Sequence, residues 1–229
     1  MPTQEQIYQT EAEQYEALVS REDYQGNIMR ALEEIINVDG LDVLDLGAGT
    51  GRLAGLLAPR VKIMRAFDLS AHMLKIMREK LRQSDVQSLT AAADHRCLPI
   101  PSHCADLMVS GWSVSYLAVW NPLTGRVELE KWLGEAKRVL RPNSFIVLFE
   151  SLGTGNESPI KLDHLKDFYP WLDEAGFQNK WIRTDYKFDS VQQSLEVAGF
   201  FFGAEMVDKI KANQWEVLPE CTGVWWLEV

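Results

Sequence analysis

The stretch Leu41-Asp-Val-Leu-Asp-Leu-Gly-Ala-Gly-Thr-Gly51 constrains this chain more than any other feature. A short apolar run enters three alternating glycines, and helical spacing resumes at Arg52. Glycines allow the backbone to turn sharply and approach a ligand closely. The helix that follows offers free N–H groups and a partial positive charge to an anion. In an open α/β sheet, ligands bind beyond the carboxyl ends of the strands. The loop is therefore a candidate site on physical grounds alone.

The rest of the chain supplies the sheet that such a loop needs. Apolar runs at 61–67, 86–93, 106–110 and 144–150 alternate with segments of helical spacing at 52–58, 71–82 and 126–140. That alternation predicts an α/β fold, a parallel sheet with helices on both faces. Ser70 is a good N-cap for the helix at 71–82, and Arg141-Pro142-Asn143 reads as a turn. Residues 4–19 and 24–37 read as two leading helices. Later come a helix at 163–176, an edge strand at 180–188, a helix at 191–211 and a final strand at 222–229. No internal repeat or low-complexity linker interrupts the 229 residues, so one domain over 1–229 is expected.

Charge and cysteine usage narrow the function classes. The net charge is -10, and no long run of Lys or Arg is present, which disfavours long nucleic acids and anionic membrane surfaces as partners. Cys97, Cys104 and Cys221 show no zinc-ligand spacing, so no metal is expected. Met1–Ser20 lacks the basic start and apolar stretch of a secretory signal, and no window is long and apolar enough to span a bilayer. A cytoplasmic location is the expectation.

The ligand of the loop can be narrowed too. A dinucleotide fingerprint GxGxxG needs glycine at position 52, which holds Arg52. The glycines fall at 47, 49 and 51 instead, two residues after Asp45. Asp68 ends the second apolar run and Asp94 follows the third. All three acids should lie along one sheet edge. A carboxylate at the end of the second strand suits the two hydroxyls of a ribose, and Asp94 can accept from an exocyclic amine.

With these residues in view, the chain resembles the class I S-adenosylmethionine (SAM)-dependent methyltransferases, in the small-molecule branch that includes quinone-biosynthesis C-methyltransferases. Val43–Gly51, Phe67-Asp-Leu-Ser-Ala-His-Met-Leu74, Ala92–Pro101, Asp106–Trp112 and Lys137-Arg-Val-Leu-Arg-Pro-Asn143 carry the resemblance, roughly over residues 41–151. It implies a three-layer sandwich around a seven-stranded, mostly parallel sheet in the order 3-2-1-4-5-7-6 with the last strand antiparallel. It implies SAM as cofactor, with Tyr15, Asp45, Gly47, Ala48, Gly49, Gly51, Asp68, Leu69, Met73, Asp94, His95, Ser110 and Gly111 around it. Residues 1–38 would form a helical lid. Residues 151–215, with Phe168, Tyr169, Trp171 and Phe200–Phe202, would lie on the acceptor side. Tyr24, Trp112, Tyr116 and Phe201 would face a small-molecule O, N or C acceptor.

The resemblance does not supply every role. The adenine-N6 and glutamine methyltransferases carry an Asn-Pro-Pro-Tyr type motif after the fourth strand, where this chain has Ser110-Gly111-Trp112-Ser113. That substrate class is disfavoured. His72, His95, His103, Tyr116, Tyr15 and Tyr24 are each candidates for a general base, and none is assigned. A SAM-binding protein without methyl transfer, a protein methyltransferase and a nicotinamide enzyme stand as alternatives, the last disfavoured by Arg52.

Overall fold

The computed structural model describes residues 11–229. The beginning of the first expected helix and Tyr8 lie outside the described residues. Seven strands form the main sheet: β1 (Asp42–Leu46), β2 (Ile63–Asp68), β3 (Gln87–Ala92), β4 (Ala105–Gly111), β5 (Leu140–Thr154), β6 (Gln178–Arg183) and β9 (Glu220–Glu228). Their order is β3-β2-β1-β4-β5-β9-β6. The five strands from β1 to β5 run parallel, and β9 lies antiparallel between β5 and β6. In spatial terms this is the expected 3-2-1-4-5-7-6 order. β7 (Tyr186–Lys187) and β8 (Val217–Leu218) form a separate small ribbon.

Successive residues of a strand point to opposite faces, and the core divides accordingly. Val43, Ala66, Leu107, Val109, Val147 and Phe149 pack on one face with residues of α2 (Asn27–Glu33), α3 (Arg52–Leu57) and α4 (Ala71–Leu81). Leu44, Leu46, Phe67, Met108, Ile146 and Leu148 pack on the other with α6 (Gly125–Val139) and α7 (Phe168–Glu174). Hydrocarbon on both faces explains why the inner strands read as continuous apolar runs. A third cluster joins Leu18 of α1 (Ala12–Val19) to Ala198 of α8 (Val191–Phe202), Met206 and Ile210 of α9 (Ala204–Asn213) and the β7–β8 ribbon.

Three local expectations are corrected. Residues 141–143 form no separate turn, because β5 begins at Leu140 and runs through them. Asn143 takes a left-handed conformation (φ 61°) there, and the β4–β5 register shifts between Ala105 and Leu107. The expected edge strand at 180–188 breaks after Arg183, where the Thr184 side chain turns inward to Glu22 and Thr222. The expected helix at 191–211 is two helices, divided at Gly203 (φ 85°, ψ -169°), a conformation that suits only glycine.

Candidate active site

The carboxyl ends of β1, β2, β3 and β4 bring the predicted residues to one edge. Gly47 and Ala48 both donate backbone N–H bonds to the Phe67 carbonyl, at 2.8 and 3.1 Å, so the glycine loop folds back over the end of β2. Gly47, Gly49 and Gly51 all have positive φ, at 67°, 53° and 84°. At Gly47 the constraint is also steric. A Cβ there would lie 1.9 Å from the Ser113 hydroxyl oxygen, so only glycine lets the loop after β4 pack against the loop after β1.

Asp68 is the hinge of the arrangement. Its Oδ2 accepts from the Gly49 N–H at 2.9 Å, and its Oδ1 accepts from the Ser70 N–H at 2.7 Å. Ser70 in turn caps α4, accepting from the Met73 N–H. These bonds point the carboxylate of β2 at the glycine loop while leaving lone pairs for a ligand.

A cavity of about 290 Å³ opens beside it. Tyr15, Gly47, Gly49, Asp68, Leu69 and Met73 form one side. Asp94, His95 and Arg96 form a second, and the chain after β4, from Gly111 to Asn121, closes the third. Leu69 remains 65% exposed although it flanks the cavity. A smaller recess of about 20 Å³ adjoins it, between Tyr15, Asp45, Gly47, Ala48, Thr50, Arg52, Leu53, Gly111 and Trp112.

The electrostatics of the walls are uneven. Burial pushes the Asp45 carboxyl up to about 7, against the opposing effect of a hydrogen bond from the Ala54 N–H. Asp94 is driven the other way, to about 2, because the Arg96 side chain grips both its oxygens, at 2.8 and 2.5 Å. Burial lowers the His95 pKa, so its ring is neutral near pH 7. Of the four histidines it alone lines the cavity. Arg52 pairs with the buried Glu22, and its guanidinium lies 4.0 Å from the centroid of the Trp112 ring. Trp112 itself has a left-handed backbone (φ 50°), a strained state for a bulky residue, and its ring stacks on Phe149.

Most of the predicted site residues meet here, and some do not. Tyr15, Gly47, Gly49, Asp68, Leu69, Met73, Asp94, His95, Gly111, Trp112 and Tyr116 line the main cavity, while Asp45 and Ala48 line the recess. Gly51 and Ser110 lie behind the wall. A Cβ at Gly51 would meet the Met77 side chain, and the buried Ser110 hydroxyl donates to the Leu46 carbonyl at 2.6 Å. Tyr24 is 44% exposed, beneath the Lys187 ammonium, and lines neither space. Phe201 is one layer back, its ring 5.9 Å from that of Tyr15. Phe168, Tyr169 and Trp171 are buried in the core under the sheet rather than in the cavity.

The lining also includes residues that the sequence did not assign to the cofactor or acceptor: Ser70, Arg96, Ser113, Leu117, Trp120 and Asn121 in the cavity, and Thr50, Arg52 and Leu53 in the recess. Tyr116, Leu117, Trp120 and Asn121 follow a one-face helical spacing, which was a usable signal. The partners of Arg52 and Ser113 are distant in sequence and left none.

Comparison with known proteins agrees with this architecture. Residues 44–148 match the methyltransferase domain family. The chain is 28% identical over 175 residues to a malonyl-[acyl-carrier protein] O-methyltransferase of Marinomonas sp. (strain MWYL1), covering 75% of this chain and 59% of that protein. It is 31% identical over 114 residues to a ubiquinone/menaquinone biosynthesis C-methyltransferase of Bordetella parapertussis, covering 48% and 41%. Among solved structures, a SAM-dependent methyltransferase from Aquifex aeolicus superposes with a TM-score of 0.58 at 17% identity, covering 88% of this chain and 89% of that one. Over residues 44–148 the chain is thus similar to the methyltransferase domain family, and its fold is shared with a SAM-dependent methyltransferase. It spans little more than half the length of the first of these curated relatives and less than half of the second.

Proposed function

We propose that this chain transfers a methyl group from SAM to a small-molecule acceptor. The observation that carries the reading is Asp68. Its carboxylate is fixed by the Gly49 and Ser70 N–H groups at the mouth of a cavity flanked by Leu69 and Met73. A carboxylate so placed can accept from two vicinal hydroxyls, and the apolar flank suits the face of a base. The recess fits the polar end of the same molecule. Thr50 Oγ1 is buried there without a hydrogen-bond partner among the described residues, and Asp45 and Arg52 line the same recess. Asp94 is committed to Arg96, so its part at the far end is to anchor that guanidinium, with only its remaining lone pairs available to an amine.

Bound SAM supplies an already activated methyl group on a sulfonium. The protein's contribution is then alignment and exclusion of water, worth roughly 7–11 kcal/mol for well-oriented partners. Gly111 and Trp112 bound both spaces and so stand where the two parts of the ligand would meet. No residue is assigned as base. His95 is the histidine within reach, and it is neutral as a base requires. The relatives named above are, by name, an O-methyltransferase of malonyl-[acyl-carrier protein] and a C-methyltransferase of ubiquinone/menaquinone biosynthesis. Whether this chain shares either acceptor is decided by the walls of the cavity.

Calorimetric titration with SAM, S-adenosylhomocysteine (SAH) and NAD tests the reading. Binding of the first two alone is expected, and Asp68→Ala should weaken both by about 1.5–3 kcal/mol, the scale of charge-assisted hydrogen bonds. Binding of NAD alone, or unchanged SAH affinity in a folded Asp68→Ala variant, would overturn it.

A further inference from the structure

The charges around the cavity bear on the acceptor. The main cavity is lined by one arginine, Arg96, and the recess by another, Arg52. Neither is free. Arg96 is shared between Asp94 and Glu128, and Arg52 is bound to Glu22. His95 is buried. Residues 1–10, outside the described part, contain no Lys, Arg or His. Asp68 therefore stands without a cation among the described lining residues.

The third wall is aromatic. In α5 (Tyr116–Val119) and the residue that follows it, Tyr116 and Trp120 stack with ring centroids 4.6 Å apart and planes 25° apart. Trp120 stays 50% exposed although it lines the cavity. Leu117 continues the apolar surface, and Asn121 is the polar group at its end, its amide donating to the Leu117 carbonyl.

We propose that the acceptor is an uncharged, flat molecule received along the Tyr116–Trp120 slab, where the protein offers no free cation to a carboxylate or phosphate. The inference rests on the methyl-transfer reading above and extends it to the substrate class. An anion entering this space loses its water and finds, among the described lining side chains, only cations already neutralised by carboxylates. It also comes to lie near Asp68, whose charge no described side chain of the lining neutralises, and like charges repel. A neutral ring meets neither penalty and gains stacking area on two aligned aromatic side chains.

The test uses the full chain saturated with SAH, titrated at pH 7 with 2-naphthol and with 2-naphthoate. The probes share a ring system and differ in charge. Naphthol should bind at least about tenfold more tightly. Trp120→Ala, with an unchanged melting temperature, should weaken naphthol by about tenfold. Asn121→Arg should bring naphthoate to within about threefold of naphthol by supplying a free cation. If Trp120→Ala fails to fold, Asn121→Arg carries the test.

Naphthoate binding as tightly as naphthol overturns the inference, as does binding of neither probe or indifference of naphthol to Trp120→Ala. Failure of SAH itself to bind overturns the methyl-transfer reading and the acceptor class together, so the two failures are distinguishable.

Discussion

Replacing Glu150 with glutamine should make the protein more stable in alkali while leaving it unchanged in mild acid. Glu150 is a buried residue of β5 opposite Gly223 of β9. Burial pushes its carboxyl from the ordinary value of 4.5 up to about 7, despite hydrogen bonds from the Ser115 hydroxyl and the Ser151 N–H. The folded chain thus holds this proton more tightly than the unfolded chain does. The corresponding stability is fully present below pH 4.5 and is lost as pH rises through about 7. At about 1.4 kcal/mol per pH unit, the interval of about 2.5 units corresponds to at most about 3.5 kcal/mol, of which the part below pH 5 is already lost at the lower condition. Glutamine keeps the shape and has no proton to lose. Urea unfolding followed by circular dichroism at pH 5 and pH 8.5 reads the difference. Wild type should lose up to roughly 3 kcal/mol more than Glu150→Gln between the two conditions. Asp45 and Glu220 are also raised, to about 7 and about 8. Both chains therefore decline, and only the difference isolates Glu150. Equal declines would refute the reasoning, because they would mean that Glu150 ionises in the fold as readily as in the unfolded chain.

Two further perturbations address the wall of the site. Glu22→Ala strands the Arg52 guanidinium, and breaking a buried pair in this way should cost about 3–5 kcal/mol in urea melts. The Glu22→Ala/Arg52→Met double variant should lose clearly less than the sum of the single variants, and additivity would show that the pair is not coupled. Gly47→Ala drives a methyl group into Ser113 at a positive-φ position. It should lower SAH affinity by more than about tenfold, with partial recovery in Gly47→Ala/Ser113→Gly, measured by calorimetry.

The glycine loop, Asp68 and the parallel strands were legible because each rests on a local signal. The apolar runs of the inner strands β1, β4 and β5 are buried on both faces, Ser70 sits three residues before the N–H it caps, and Arg52 occupies the place of a third dinucleotide glycine. The walls were less legible. Tyr24 reads like Tyr15 in sequence, yet Tyr15 is half-buried and lines both the cavity and the recess, and Tyr24 faces outward beneath Lys187. Phe168 and Trp171 have the same composition as a ligand wall, but their helical spacing serves the core under β5. The partition of Asp94 also escaped the sequence. Arg96 two residues on is as consistent with a solvated surface arginine as with the clamp observed. In each case the deciding partner is remote in sequence: Glu128 for Arg96, Glu22 for Arg52, Ser113 for Gly47.

The position of β9 has a consequence for how the chain is made. β9 follows every other described strand in sequence, yet it occupies an interior place in the sheet and is, among the described residues, the only strand-pairing partner of β6. During translation the parallel half from β1 to β5 can assemble first. Its β5 edge, with Ile146, Val147, Leu148 and Phe149, then stays open until residues 220–228 emerge from the ribosome. An open apolar edge is a template for pairing with another chain. A ribosome stalled after β8 would hold a nascent chain with its cofactor loop formed and its sheet still unsealed. Such stalled chains should be the form most prone to aggregate.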